Sequence, residues 1–235
     1  MEKPCYHFDS MVFHLITIFP EAIKGYLDSS ILGRAQEKKI IKIKFHNPRD
    51  FTKDKHKKVD DKPFGGSPGM VMKIEPIINI IKTIRTPRTI RTKIILFSPT
   101  GKQFTKKMAQ DFAKKYDNII LIAGHYEGID ARLEKVIKNL KLKIENLSIG
   151  PYVLTGGELP AAVVVDAVSR HIPGVLGKED SLEEKRGMLG IPAYTRPEVF
   201  ECYGKKHRVP KVLLSGHHEK IKKWREKQVR KFSLQ

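Results

Sequence analysis

Two hydrophobic rhythms alternate through the first 175 residues. Short runs rich in β-branched and aromatic residues read as buried strands: "FHLITIFP" (Phe13 to Pro20), "TKIILFSPTG", "NIILIAGHYEG" and "KIENLSIG". Between them lie segments with apolar residues three and four apart. "EAIKGYLDSSILGRAQEKK" carries Ile23, Tyr26, Leu27 and Ile31 at helical spacing, and "KQFTKKMAQDFAKKY", "IDARLEKVIKNLK" and "GELPAAVVVDAVSRHI" follow the later strands. Strands that alternate with helices predict an α/β fold, a mostly parallel sheet with helices on both faces. Ligands of such sheets bind at the carboxyl ends of the strands. Three glycine-containing loops fall there: Ser98 to Gly101, Gly124 to Asp130 and Ile149 to Gly157.

Other stretches break the rhythm. "DDKPFGGSPGMVMKIEPI" is a Gly/Pro cluster behind the basic run "KDKHKK", and it reads either as a cationic flexible loop or as a disordered connector. Lys178 to Gly190 is charged and poorly periodic, as in a linker or mobile segment. From residue 196 onward the chain is small and basic. Ser215 is the predicted N-cap of a last helix with Ile221, Trp224, Gln228 and Phe232 on one stripe and Lys222, Lys223 and Arg225 around it.

Charge sharpens the picture. Among 235 residues, 45 Lys and Arg face 26 Asp and Glu, a formal net charge of +19. Such an excess favours nucleic acid or another polyanion as partner; the alternative reading is a Lys-rich composition that decorates solvated faces. Against it stands the run from Ser148 to Gly177, which holds no Lys and a single Arg, Arg170. Apolar runs such as Ala161 to Val165 are far short of the ~20 residues of a membrane helix. The N-terminus lacks the apolar region of a signal peptide, and two cysteines make no disulfide framework. A reducing cytoplasm is the expected compartment. Neither the dinucleotide fingerprint nor the phosphate-binding P-loop motif occurs.

Six motifs then stand in one order: "FGGSPGMVM", "GHYEGID", "SIGPYVLTGGELP", "DAVSRHIPGVLG", "YTRPEVF" and "VPKVLLSGHHEKIKKWR". Together they closely resemble the bacterial tRNA (guanine-N1)-methyltransferases of the SPOUT superfamily. The resemblance implies an N-terminal extension over residues 1–10, an α/β methyltransferase domain over 11–177 with a deep C-terminal trefoil knot, a linker over 178–195 and a small basic helical tRNA-binding domain over 196–235. It also implies a homodimer with a shared active site, S-adenosylmethionine as cofactor, and methylation at N1 of the guanine immediately 3′ of the anticodon, which maintains the reading frame. The partner is tRNA, not DNA. Whether Mg2+ assists, as it does in that family, the resemblance leaves open.

Residue by residue, the resemblance puts Ser98, Pro99 and Gly101 against the cofactor, then Gly124, Tyr126 and Glu127. From the third loop it adds Ile149, Gly150, Pro151, Tyr152, Val153, Leu154, Gly156, Gly157 and Pro160. Guanine N1 carries a proton, so methyl transfer needs a base there and a positive partner for charge growing on O6. The motif register gives these roles to Asp180 and Arg170. The sequence departs from the family at Pro151, where Asp is common, and at His125, where Arg is frequent. The segment after Gly177 is shorter than usual, which leaves Glu179, Glu183 and Glu184 as alternatives to Asp180. Rival readings are another RNA methyltransferase of the superfamily and a non-catalytic RNA-binding protein.

Overall fold

The computed structural model describes residues 10–84, 91–176 and 191–232, the last four as backbone only. The chain divides into two compact units, residues 1–176 and 177–235. In chain order the first unit contains β1 (Met11–Ile16), α1 (Glu21–Leu27), α2 (Ser30–Glu37), β2 (Ile41–His46), β3 (Asp60–Asp61), β4 (Val71–Met72), α3 (Ile74–Thr83), β5 (Thr92–Gln103), α4 (Lys106–Lys115), β6 (Asn118–Ile122), α5 (Arg132–Asn139), β7 (Ile144–Ser148) and α6 (Glu158–Ser169). Five strands form one sheet in the order β2-β1-β6-β5-β7, and every neighbouring pair is parallel.

The alternation along each strand explains why both faces are covered. Phe13, Leu15, Ile95, Ile119 and Leu121 point into a core closed by α1, α2, α4 and α6. Ile16, Ile94, Ile120 and Ile122 point to the other side, against Ile77 and Ile80 of α3 and Leu133 and Ile137 of α5. All five residues of β6, the middle strand, are buried, so its uninterrupted "NIILI" is what a doubly covered parallel strand requires.

The structure differs from the hydrophobic rhythm in four places. The single helix expected after β1 is two, because Ser30 takes a left-handed φ of 52° and interrupts the helical ladder after Asp28. Strand β2 was not predicted: it is an edge strand whose Lys42 and Lys44 are exposed, a composition that discourages further pairing. Helix α3 was hidden by the preceding Gly/Pro cluster, although Pro76 sits in its first turn, where a missing N–H costs no ladder bond. The cluster itself is no disordered connector. Its strands β3 and β4 pair antiparallel, and Met72 is buried in the second core.

A histidine pair links the edge strand to the sheet. His14 Nδ1 lies 3.0 Å from His46 Nε2, with the rings stacked at 5.2 Å. Burial, then the neighbouring His46 and Lys44, lowers the pKa of His14 from 6.5 to about 4, and burial lowers that of His46 as well. The folded state therefore holds both rings neutral. Their contribution to stability is complete above pH 6.5 and is lost as pH falls toward 4. For His14 alone the loss should reach about 2 kcal/mol by pH 5. Urea unfolding at pH 7.5 and 5 should show this drop, and His14→Leu should shrink it; an equal drop in the variant would assign the acid sensitivity elsewhere.

The second unit is not purely helical. Strands β8 (Val199–Cys202) and β9 (Lys205–Arg208) form an antiparallel hairpin, followed by α7 (Lys211–Leu214) and α8 (His218–Phe232). Ser215 ends α7 rather than capping α8: its hydroxyl donates to Val212 O and accepts from His217 N. The expected stripe is present as far as side chains are described. Ile221, Trp224 and Gln228 are half-buried while Lys222, Lys223 and Arg225 are exposed, and Tyr194 packs near Trp224. Among the described residues no helix is long and apolar enough to cross a membrane.

Candidate active site

Strands β6, β5 and β7 lie side by side, so the loops at their carboxyl ends converge. They enclose a cavity of about 560 Å3, within the size range of small-molecule sites. Thirteen of the residues singled out in the sequence line it: Ser98, Pro99, Gly124, Tyr126, Glu127, Ile149, Gly150, Tyr152, Val153, Leu154, Gly156, Gly157 and Pro160. Gly101 and Pro151 do not.

The first loop is a bulge within β5. Residues Ile94 to Phe97 pair with Ile144 to Leu147, and pairing resumes at Lys102 opposite Leu147. The four residues between are expelled from the ladder, and Ser98, Pro99 and Thr100 reach the cavity. Gly101 sits where the chain rejoins the sheet. A Cβ there would stand 2.7 Å from the Leu147 carbonyl carbon, so this glycine serves strand approach and not the cavity wall. Pro151 is exposed on the outer side of its loop.

The floor joins three elements through one buried acid. Glu158, the first residue of α6, accepts a hydrogen bond from Thr17 Oγ1 at 2.5 Å and lies 2.7 Å from His125 Nε2. Thr17 in turn accepts from the Phe19 N–H, and Phe19 meets the His125 ring edge-on. The ends of β1 and β6 and the start of α6 are thereby held together. Gly157 N donates to Gly124 O at 2.9 Å, tying the second loop to the third. The strand pair β3–β4 is tied to the second loop as well: Glu127 N donates to Met70 O, Met72 N to Gly128 O, and Asp130 N to Met72 O.

Three carboxylates line the cavity of this strongly basic chain: Glu127, Asp130 and Glu134. Hydrogen bonds from Arg132 hold Asp130 below its ordinary pKa, and Glu134 accepts from Asn146 Nδ2 at 2.7 Å. Tyr152 and Leu154 add partly exposed apolar surface. Sequence reasoning placed the loop of His125 and Asp130 at the ligand edge without giving either residue a role, and it passed over Glu134 in the lining and Glu158, which bonds His125 without lining the cavity. Glu158 carried a signal, an acid set within an apolar run and directly after two glycines. Among the described residues no group of three His, Cys, Asp or Glu has metal-site geometry.

Arg170 does not join this cluster. Arg170 caps the far end of α6, about 18 Å of helix rise from Glu158, and it does not line the cavity. Asp180 and its alternatives Glu179, Glu183 and Glu184 lie outside the described residues.

A parallel α/β sheet whose carboxyl-end loops surround a cavity with acidic and apolar lining is the architecture of an α/β protein with a small-molecule site. Comparison with known proteins narrows the class. A family model described as tRNA (Guanine-1)-methyltransferase TrmD matches residues 11–234. A protein of Dictyoglomus turgidum named tRNA (guanine-N(1)-)-methyltransferase is 50% identical over 220 residues, covering 92% of this chain and 84% of its own. Proteins of the same name from Clostridioides difficile (50% identical, 93% of this chain and 92% of the relative) and Haemophilus influenzae (47%, 91% and 84%) are similarly close. The chain belongs to the tRNA (guanine-N1)-methyltransferase family.

Proposed function

We propose that this chain methylates N1 of the guanine immediately 3′ of the tRNA anticodon, using S-adenosylmethionine, and so maintains the reading frame in the cytoplasm. The carrying observation is the cavity. A chain of net charge +19 lines this cavity with Glu127, Asp130 and Glu134, the last two ion-paired to Arg132 and Lys138, a lining that suits a cationic ligand better than RNA phosphates. The proposed cofactor is such a ligand, a purine nucleoside whose sulfonium and ammonium groups outweigh its one carboxylate, and it supplies an activated methyl. In this reading Leu154 and Tyr152 flank the purine, backbone groups of residues 149–157 face its edge, and the carboxylates hold the cationic end. Residues 11–177 are the knotted methyltransferase domain, 178–195 the linker and 196–235 the tRNA-binding domain.

The rest of the chemistry needs a second copy. Arg170, assigned to the charge on guanine O6, stands at the end of α6 remote from its own cavity. Leu159 and Val163 of the same helix are 60% and 45% exposed, beside Tyr26, whose hydroxyl donates to Asp166. Two copies packed through this face in opposite senses bring Arg170 of each over the cavity of the other. Light scattering should give a dimeric mass, and Leu159→Lys with Val163→Glu should halve it and abolish methylation. A fully active monomer would remove the shared site.

The pocket has its own test. A Cβ at Gly124 would meet only Ile129 side-chain carbons, at 3.4 Å and beyond, so Gly124→Val should leave the fold intact while filling the cavity. Calorimetry should find S-adenosylmethionine binding lost at an unchanged melting temperature. Normal binding would place the cofactor elsewhere.

For the function itself, transcripts carrying guanine or adenine 3′ of the anticodon should be offered with labelled cofactor. Label on N1 of that guanine alone is expected. Label on a ribose or at another site would favour a different methyltransferase of the superfamily, and cofactor-independent RNA binding without label would favour the non-catalytic reading. Repeating the assay with chelator settles the part played by Mg2+.

A further inference from the structure

The hairpin of the second unit carries an aromatic residue that the fold does not use. Its two-residue turn is Tyr203-Gly204, with φ of 48° and 72°. Left-handed backbone at both central positions is the turn that best joins twisted antiparallel strands, and Asn-Gly is its favoured pair. A tyrosine there is strained by roughly 1 kcal/mol against glycine. Its ring gains nothing in return from the fold: Tyr203 is 100% exposed.

The adjoining strand face has the same character. Cross-strand pairing sets Phe200 opposite His207 and Cys202 opposite Lys205, so these four share one face, with Tyr203 at its end. Phe200 is 57% exposed and His207 and Lys205 are exposed as well. On the opposite face Glu201 pairs with Lys206 at 3.0 Å, beside Arg208. Between Val199 and Arg208, three Lys and Arg stand against a single acid. Rings set among uncompensated positive charges match an RNA loop, whose unpaired bases stack on aromatic side chains while its phosphates seek cations. A protein partner would instead favour an apolar centre depleted of lysine.

We infer that the β8–β9 hairpin is a stacking platform for an unpaired base of the substrate RNA, with Tyr203 as the principal ring and Lys205 contacting phosphate. This rests on tRNA being the substrate. Tyr203→Asn is the decisive variant, since asparagine suits the turn better than tyrosine and removes only the ring. Fluorescence anisotropy with the full chain and a tRNA transcript should show affinity reduced roughly 5- to 100-fold. The melting temperature should be unchanged or raised, and Tyr203→Phe should bind as the unmodified chain does. The slope of log affinity against log salt should stay the same for Tyr203→Asn and become shallower by about one for Lys205→Ala. Unchanged tRNA affinity in Tyr203→Asn overturns the platform, and so does a loss of dimer mass at unchanged RNA affinity, which would assign the ring to a second copy. Failure of the unmodified chain to bind tRNA removes the functional reading and the platform together, a result distinct from either.

Discussion

Arg170→Ala should slow methyl transfer by about 10²-fold or more in single-turnover experiments at saturating tRNA and cofactor, the scale of losing one preorganised charge partner. Loss of the N1 proton leaves negative charge shared with O6, and the guanidinium proposed to face it stands at the end of a packed helix. Cofactor affinity should change little, because Arg170 does not line the cavity. If Asp180 is the base proposed for N1, Asp180→Asn should give a loss of similar size by another route, since it keeps shape and polarity but removes the basic oxygen. A carboxylate of ordinary pKa, about 3.9, is a weak base, so it must be desolvated when the guanine is enclosed. The unmodified rate should rise with pH and level off, whereas the Asp180→Asn rate, which depends on solvent for proton removal, should keep rising. Near-normal transfer by Asp180→Asn together with a collapse in Glu179→Gln, Glu183→Gln or Glu184→Gln would move the base to that neighbour. Near-normal transfer by Arg170→Ala would leave O6 to another cation.

Gly157→Ala should be the most damaging single methyl in the site. An added Cβ would stand 2.6 Å from Ala123 Cα and 2.9 Å from Gly124 N, both backbone atoms that cannot rotate aside. The end of β6 and the start of α6 would be driven apart, and the Gly157 N–H to Gly124 O bond would be lost with them. Overpacking of a core junction costs about 1–3 kcal/mol, and here the distortion falls on the cavity wall itself. Urea unfolding should show a loss of about 2 kcal/mol or more, and S-adenosylmethionine binding should weaken beyond detection by calorimetry. The contrast with Gly124→Val is the informative part: that variant should lose binding without losing stability. If Gly157→Ala proves as stable as the parent, the loop 149–157 is free to shift and the wall is softer than its hydrogen bonds imply.

Much of the sheet was legible in advance because β-branched runs in a doubly covered parallel sheet are nearly uninterrupted. "TKIILF" and "NIILI" are short and β-branched, as such strands are. The elements that escaped notice were those whose identity depends on neighbours. Strand β2 alternates lysine with isoleucine and owes its place to pairing with β1, while α3 begins inside a Gly/Pro cluster that locally reads as a loop. The hairpin β8–β9 was missed for a related reason, since a Tyr-Gly turn lacks the Asn-Gly or Asp-Gly signal.

The alternation of four β-branched strands with helices, the parallel sheet it implies and the three glycine loops at its carboxyl edge follow from local hydrophobic period and turn chemistry, which act over a few residues and can be read along the chain. Long-range proximity decided the rest. That Glu158 bonds Thr17 141 positions away, that the β3–β4 strands are hydrogen-bonded to the second loop, and that Gly101 supports strand approach while Ser98 faces the cavity all depend on which strand lies beside which. The far placement of Arg170 belongs to the same class: sequence register assigned the residue a role, and the length of a twelve-residue helix separated it from the cavity of its own chain.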